Sequence, residues 1–255
     1  MGRLRVTFLG TGTSHGVPMI ACDCPVCRSN DEKNKRTRTS ILVSYNGRNI
    51  LVDTTPELRI QAIRCNVRRV DAVLFTHHHA DHLHGLDDLR RFSDIQRMRI
   101  PCYGNEETIR RIERVFDYAI KGENIGGGIP RIETHVIRGE FELFGLRIIP
   151  LKLLHGRMEI LGYRFKDMAY ATDCSAIPEE TAERMKGLKL LILDALRFRP
   201  HPTHFSISQA LEVVERLKPE RTLFVHMTHD VDHHTTNAML PEGVELAYDG
   251  MVVEI

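Results

Sequence analysis

The stretch Thr76–His82, T-H-H-H-A-D-H, sets His77, His79, Asp81 and His82 in the pattern H-x-H-x-D-H, directly after the apolar run D-A-V-L-F of Asp71–Phe75. The run reads as a buried strand that delivers the cluster to its carboxyl end. His77 and His79 stand two residues apart, so in an extended segment both imidazoles point to the same side and can grip one ion. Asp81 and His82 then face a second position. Neutral imidazole with carboxylate suits borderline divalent ions such as zinc, manganese or iron, whereas calcium or magnesium would call for oxygen ligands throughout. Histidines also cluster in solvated turns and tag remnants, but this run is internal and a rigid strand precedes it, which is what a metal site needs.

Working outward, strands and helices alternate along the chain. A strand near Arg3–Leu9 leads into a long loop through Cys27, and strands at Ser40–Ser44 and Arg48–Asp53 are joined by Asn46-Gly47, the strongest short hairpin signal. Pro56 suits the start of a helix running to about Arg64. Asn105 precedes a helix expected through Tyr118, with Ile109, Ile112, Val115 and Phe116 on one face. The glycine-rich loop Gly126, Gly127, Gly128 serves either as a lid or as a tight connection. Strands resume at 132–137, 146–153, 160–165 and 168–171, and the second half repeats strand, helix, strand. Leu188–Leu193 is an almost wholly apolar strand, Ser206 and Gln209 form a capping box for a helix that Pro219 ends, and Thr222–Val225 is a last short strand.

Strand-rich halves with interspersed helices predict two sheets packed face to face with helices on both outer surfaces, a four-layered α/β sandwich. Three further candidate ligands each end an apolar strand: His155 in L-K-L-L-H, Asp173 in A-Y-A-T-D and His226 in T-L-F-V-H. On this plan His77, His79, His155, Asp173 and His226 converge at one sheet edge although they are distant in sequence.

At 255 residues and 42% hydrophobic composition the chain can build a substantial core, and no linker or repeat divides it, so one domain over residues 1–255 is expected. A net charge of +1 argues against a dedicated polyanion binder. The runs K-N-K-R-T-R at Lys33–Arg38 and the pair Arg197 and Arg199 either guide an anionic substrate or are simply solvated. No apolar run approaches the ~20 residues of a membrane span, and the amino-terminal stretch lacks the pattern of a signal peptide. A cytoplasmic protein is therefore expected, and its six cysteines are reduced thiols or metal ligands. Cys22, Cys24 and Cys27 are packed into C-D-C-P-V-C. Cys65, Cys102 and Cys174 are scattered and read as small buried hydrophobes, Cys174 packing behind Asp173.

The ordered set H-x-H-x-D-H, His155, Asp173, His226 resembles the metallo-β-lactamase superfamily over essentially the whole chain. The resemblance implies an αββα fold of that type and a two-metal site, with His77, His79 and His155 on one ion, Asp81, His82 and His226 on the other, and Asp173 bridging them. Asp53 of L-V-D-T would orient ligands from behind. Aspartate rather than cysteine at position 173 makes β-lactam hydrolysis the less fitting activity. G-T-G-T-S-H-G-V-P followed by C-x-C-x-x-C, with H-M-T-H near the carboxyl end, is similar to the phosphoribosyl cyclic phosphodiesterases of phosphonate breakdown. That likeness implies a separate structural zinc on Cys22, Cys24, Cys27 and His229, although His233 and His234 stand close enough in sequence to substitute. Three thiolates and one imidazole agree with this, since they make a closed tetrahedral site.

The function so implied is hydrolysis of a small cyclic phosphate diester by a metal-bridging hydroxide, the two ions being zinc or manganese. A ribose alkoxide leaves badly without a proton. His204 in H-P-T-H-F-S, which resembles the family histidine at that place, is the candidate donor, with His201 its neighbour and alternative; Asp81 and His204 are thus the candidate catalytic residues. Alternatives are a transfer-RNA 3′-end or other RNA-processing nuclease, which would favour a long basic arm, and a thioester hydrolase of the glyoxalase type. The expected partner is a small phosphodiester, with nucleic acid the lesser alternative, no membrane, and a homodimer left open.

Overall fold

The computed structural model describes residues 2–122 and 128–255, so Gly126 and Gly127 of the glycine-rich loop lie outside the described residues. The first half supplies β1 (Arg5–Gly10), β2 (Ser40–Tyr45), β3 (Arg48–Val52), β4 (Ala72–Leu74), β5 (Ile100–Gly104) and β6 (Ile132–Val136). The second supplies β7 (Phe141–Leu143), β8 (Leu146–His155), β9 (Met158–Phe165), β10 (Met168–Ala171), β11 (Leu190–Asp194), β12 (Arg221–Val225) and β13 (Val244–Leu246), before β14 (Val252–Glu254) crosses back. The two sheets run β14-β1-β2-β3-β4-β5-β6 and β13-β12-β11-β10-β9-β8-β7. Each begins as an antiparallel meander and continues as parallel strands: β14 to β3 pair antiparallel and β3 to β6 parallel, while β7 to β10 pair antiparallel and β10 to β13 parallel. The halves therefore repeat one plan. Asn46 and Gly47 both take positive φ, 49° and 73°, as a two-residue hairpin turn requires.

Strand periodicity sorts the apolar side chains into layers. In β10 and β11, Met168, Tyr170, Leu190 and Ile192 face the core between the sheets, whereas Ala169, Ala171, Leu191 and Leu193 face outward into a second core. A strand buried on both faces must read as a continuous apolar run, which these do. Helices Glu179–Arg184 and Ile207–Leu217 cover that outer face, and Leu58–Arg64, Leu89–Gln96 and Glu106–Val115 cover the outer face of the first sheet. The result is the expected four-layered αββα sandwich of the metallo-β-lactamase type. Among the described residues no helix is long and apolar enough to cross a membrane.

Local chemistry accounts for the elements, and for three departures from expectation. Ser206 and Gln209 form the reciprocal capping box, and the Asn105 side chain accepts from the Thr108 amide. The helix begun at Asn105 stops at Val115; Phe116 leaves helical geometry and turns its ring into the core, while Val115 stays 37% exposed rather than sharing the buried face. The helix expected from Pro56 starts at Leu58, with Glu57 at its N-cap making no side-chain capping bond. β5, β7, β13 and β14 were not expected. β5 carries Pro101 and the others have three residues each, too short to show a period.

Candidate metal centre

β4, β10, β11 and β12 are parallel-sheet strands, and β8 shares the direction of β10, so their carboxyl ends open on one edge of the sandwich. His77 follows β4, His155 ends β8, Asp173 follows β10, Asp194 ends β11 and His226 follows β12. Asp53, Asp173 and His226 take left-handed backbone, with φ of 65°, 57° and 62°. That step ends each extended run at the residue whose side chain enters or backs the cluster. It costs about 1–3 kcal/mol per residue and is found where function demands it.

The seven side chains meet. His77 Nε2 lies 3.0 Å from His79 Nδ1 and 3.7 Å from Asp173 Oδ2. His82 Nε2 lies 3.1 Å from Asp173 Oδ2 and 3.3 Å from Asp81 Oδ2, and His226 Nε2 lies 3.0 Å from Asp173 Oδ1 and 3.9 Å from Asp81 Oδ2. Asp173 thus sets Oδ2 against both His77 and His82 and Oδ1 against His226. His155 sits beside it, its ring 5.1 Å from that of His79, and donor atoms of His155, Asp173 and His204 lie within 4.8 Å of one another. His78, by contrast, turns toward Glu107, 3.8 Å away, and takes no part.

The opposite ring nitrogens are held from behind. Asp53 lies 2.8 Å from His82 Nδ1 and accepts from the Thr76 amide and hydroxyl, Thr76 Oγ1 contacts His77 Nδ1 at 3.0 Å, and His155 Nδ1 donates to the Asp173 carbonyl at 2.7 Å. These contacts aim Nε2 of each ring at the cluster, as metal-binding histidines require.

The donor set fits cations. His82 Nε2 and His226 Nε2 are buried and make no hydrogen bond. Burial works to keep both imidazoles neutral, yet the facing carboxylates, Asp173 first, hold His82 well above its usual range and carry His226 up to about 10. Burial likewise pushes Asp173 up, and His226 and His82 overcome it and hold it well below the ordinary carboxylate range. The protein alone thus satisfies the carboxylates only by gathering positive charge on imidazoles, at the place where divalent ions would supply it. Donor separations of 3.0–3.9 Å are those adopted around an ion bound at roughly 2.0–2.2 Å.

Sequence reasoning missed Asp194. It is fully buried, its Oδ2 lies 3.3 Å from His204 Nδ1 and accepts from the Phe205 amide at 3.2 Å, and its Oδ1 lies 3.6 Å from His226 Nδ1. One carboxylate thus backs both histidines, whose rings stack with centroids 4.8 Å apart. The signal was present: L-L-I-L-D repeats the apolar-strand-then-ligand pattern of Asp173 and His226. His201 stands next to His204, their rings 5.1 Å apart, and does not contact Asp194.

A second cluster gathers Cys22, Cys24, Cys27 and His229, with His229 Nδ1 3.1 Å and 3.4 Å from Cys22 Sγ and Cys24 Sγ. His233 and His234 lie elsewhere, the first against Tyr248 and the second against Asp31. Burial raises the Cys24 thiol, but the Cys27 amide and His229 outweigh it and bring the group down to about 6, the range of a ready metal ligand. Of the remaining cysteines, Cys102 and Cys174 are buried, and Cys65 is only partly so. Loss of a ligand at a structural site is loss of folding free energy. Were an ion held by these four groups, Cys24→Ser would remove one of its ligands and is expected to lower the unfolding temperature of the metal-loaded protein by about 5–10 °C. Equal melting temperatures for variant and untreated protein would remove the structural role.

The loop that carries His226 and His229 is anchored by Asn34, which donates to Asp232 and accepts from the His233 amide, and by the buried Arg36, which donates to the Thr228 carbonyl. Burial and nearby cations lower His233 to about 4. The folded chain therefore binds fewer protons there than the unfolded one, and stability falls as pH drops from about 6.5 to about 4, by on the order of 1–3 kcal/mol. His233→Gln is expected to flatten that part of a stability profile measured by urea unfolding.

Comparison with known proteins agrees with this architecture. The sequence profile of the β-lactamase superfamily domain matches residues 48–227, so the chain belongs to the metallo-β-lactamase superfamily. A crystal structure of a diphosphatase from the PhnP family shares 44% identity, covers 99% of this chain and 97% of its own, and superposes with a TM-score of 0.94. Within the superfamily, this places the chain in the PhnP family. Zinc-bound PqqB from Methylobacterium extorquens, at 20% identity and TM-score 0.80 over 98% of this chain and 100% of its own, shares the fold. An octanoyltransferase of Porphyromonas gingivalis is 36% identical over 253 residues, 97% of this chain and 51% of that protein. The chain thus spans about half the length of that curated relative.

Proposed function

We propose that the chain is a dinuclear metal-dependent phosphodiesterase that opens a small cyclic phosphate diester of the phosphoribosyl type, with zinc or manganese between the histidines and zinc among the cysteines. The observation that carries the reading is the convergence on one strand edge of two histidine groups shared by Asp173, with His204 and its carboxylate Asp194 alongside. His77, His79 and His155 would hold one ion and Asp81, His82 and His226 the other. When bound, such a pair activates water at neutral pH and neutralises charge building on a phosphoryl group. Asp194 faces His204 Nδ1 and so fixes the ring, leaving its other nitrogen to hold the proton that a departing sugar oxygen needs.

The 44% identity to a diphosphatase favours a second reading, cleavage of a P–O–P linkage by the same cluster. A phosphate leaving group departs without a donated proton and a sugar alkoxide does not. His204→Ala is therefore expected to slow opening of a cyclic ester by about 10²–10³-fold and anhydride cleavage far less. Phosphorus NMR of metal-loaded protein with ribose 1,2-cyclic phosphate, an organic diphosphate, a nucleoside 2′,3′-cyclic phosphate and a short RNA, each with a chelated control, tests the assignment. Metal-dependent opening of the ribose ester supports the first reading. Turnover confined to the diphosphate establishes the second, and turnover confined to RNA would replace both with a nuclease.

A further inference from the structure

Thr172 stands where β10 hands over to Asp173. In an extended run successive side chains point to opposite faces of the sheet, so a residue and its follower do not meet. Here they do. Asp173 leaves the extended conformation at φ 57°, and the Thr172 hydroxyl donates to Asp173 Oδ1 at 3.1 Å. Both side chains are buried, so water does not compete for the bond.

The remaining neighbours of the carboxylate are imidazoles. Oδ1 faces His226 Nε2 at 3.0 Å, and Oδ2 faces His82 Nε2 at 3.1 Å and His77 Nε2 at 3.7 Å. A ring nitrogen that binds an ion has given up its proton and donates nothing. Loading the cluster with metal therefore ends all three of these contacts as hydrogen bonds. Among the described residues, Thr172 is the one other side chain that hydrogen-bonds the Asp173 carboxylate, and its bond survives loading. The tether matters because the terminal torsion of an aspartate is soft. An untethered carboxylate can turn both oxygens onto a single ion and leave the other short of a ligand. The first half of the chain uses the same device: Thr76, directly before His77, bonds Asp53 and lies 3.0 Å from His77 Nδ1.

We propose that the Thr172 hydroxyl is a positioning group of the metal centre, which fixes the plane of the Asp173 carboxylate and so sets the affinity of the cluster for a pair of divalent cations. The proposal rests on the two-ion reading in which Asp173 is shared. Outer hydrogen-bond partners of this kind are worth about 10–100-fold in metal affinity.

Manganese is the probe, since thiolates take it weakly and its uptake reports on the histidine cluster. Native protein, Thr172→Val and Thr172→Ser are titrated calorimetrically, and electron paramagnetic resonance separates a coupled pair of manganese ions from isolated ones. Valine keeps the shape and removes the hydroxyl, and serine keeps the hydroxyl. Thr172→Val is expected to bind manganese at least about tenfold more weakly and to lose the coupled-pair signal, while Thr172→Ser retains both within about threefold. A Kd for Thr172→Val within about twofold of native overturns the proposal. Equal losses in Thr172→Val and Thr172→Ser also overturn it, since they would assign the effect to the threonine methyl. Should Thr172→Val not fold, Thr172→Ala against Thr172→Ser isolates the same hydroxyl. A native protein that takes up one manganese ion sinks the two-ion reading, and the Kd of that ion still decides the role of Thr172. No uptake at the histidines overturns both.

Discussion

Asp81→Asn is expected to lower kcat on the cyclic ester by about 10³-fold or more while the far-UV spectrum stays native, a loss of roughly 4 kcal/mol of transition-state stabilisation. The Asp81 carboxylate lies 3.3 Å from His82 Nε2 and 3.9 Å from His226 Nε2, and its side chain is only 13% exposed. Burial alone would raise its pKa, but His82 and His226 hold it far below the usual carboxylate range, so it is charged at every working pH. The amide keeps the shape and removes both the charge and a strong ligand. Metal analysis is the second readout: active-site occupancy should fall from two ions toward one, with the cysteine site retained. Turnover equal to that of the native protein would sink the two-metal assignment.

Gly85→Ala is expected to destabilise the fold by about 3 kcal/mol or more and to lower the unfolding temperature by roughly 6–12 °C. A Cβ at position 85 would stand 1.8 Å from the Thr55 carbonyl oxygen and 3.1 Å from Leu58 Cβ. The backbone there has no freedom to retreat. The Gly85 amide donates to the Thr54 carbonyl, the Thr54 amide to the His82 carbonyl and the Leu58 amide to the Thr55 carbonyl. This lattice ties the end of the histidine segment to the strand-end loop after β3, so displacement also moves His82 away from Asp53 and Asp173. Gly139→Ala, which meets nothing within 4 Å, is the control and should change stability by less than about 0.5 kcal/mol. Calorimetric melting of both variants decides the matter, and equal effects would show that the contact with Thr55 carries no cost.

Much of the candidate site was legible because its residues obey a local rule. A ligand-type side chain directly follows or ends an apolar strand at His77, His155, Asp173 and His226, and the edge of an α/β sandwich gathers such strand ends. Asp194 obeys the same rule, but unlike Asp173 it has no counterpart in the ligand set that the family resemblance implies. The cysteine cluster announced itself by proximity, whereas its fourth member, His229, rested on resemblance until the chain brought it within 3.4 Å of Cys22 and Cys24.

What the sequence by itself determined is the layering and the kind of chemistry. Runs such as Leu190–Leu193, apolar at every position, must be buried on both faces, and H-x-H-x-D-H sets imidazole and carboxylate at ligand spacing whatever surrounds it. Only the tertiary structure decided which side chains meet in one cluster, that His78 turns away toward Glu107, and that Asp194 backs both His204 and His226. Those facts depend on strand order, on left-handed steps at Asp53, Asp173 and His226, and on which helix face the core consumes. Each is a contact between residues far apart in the chain, set by packing between layers, and no local period in the sequence records it.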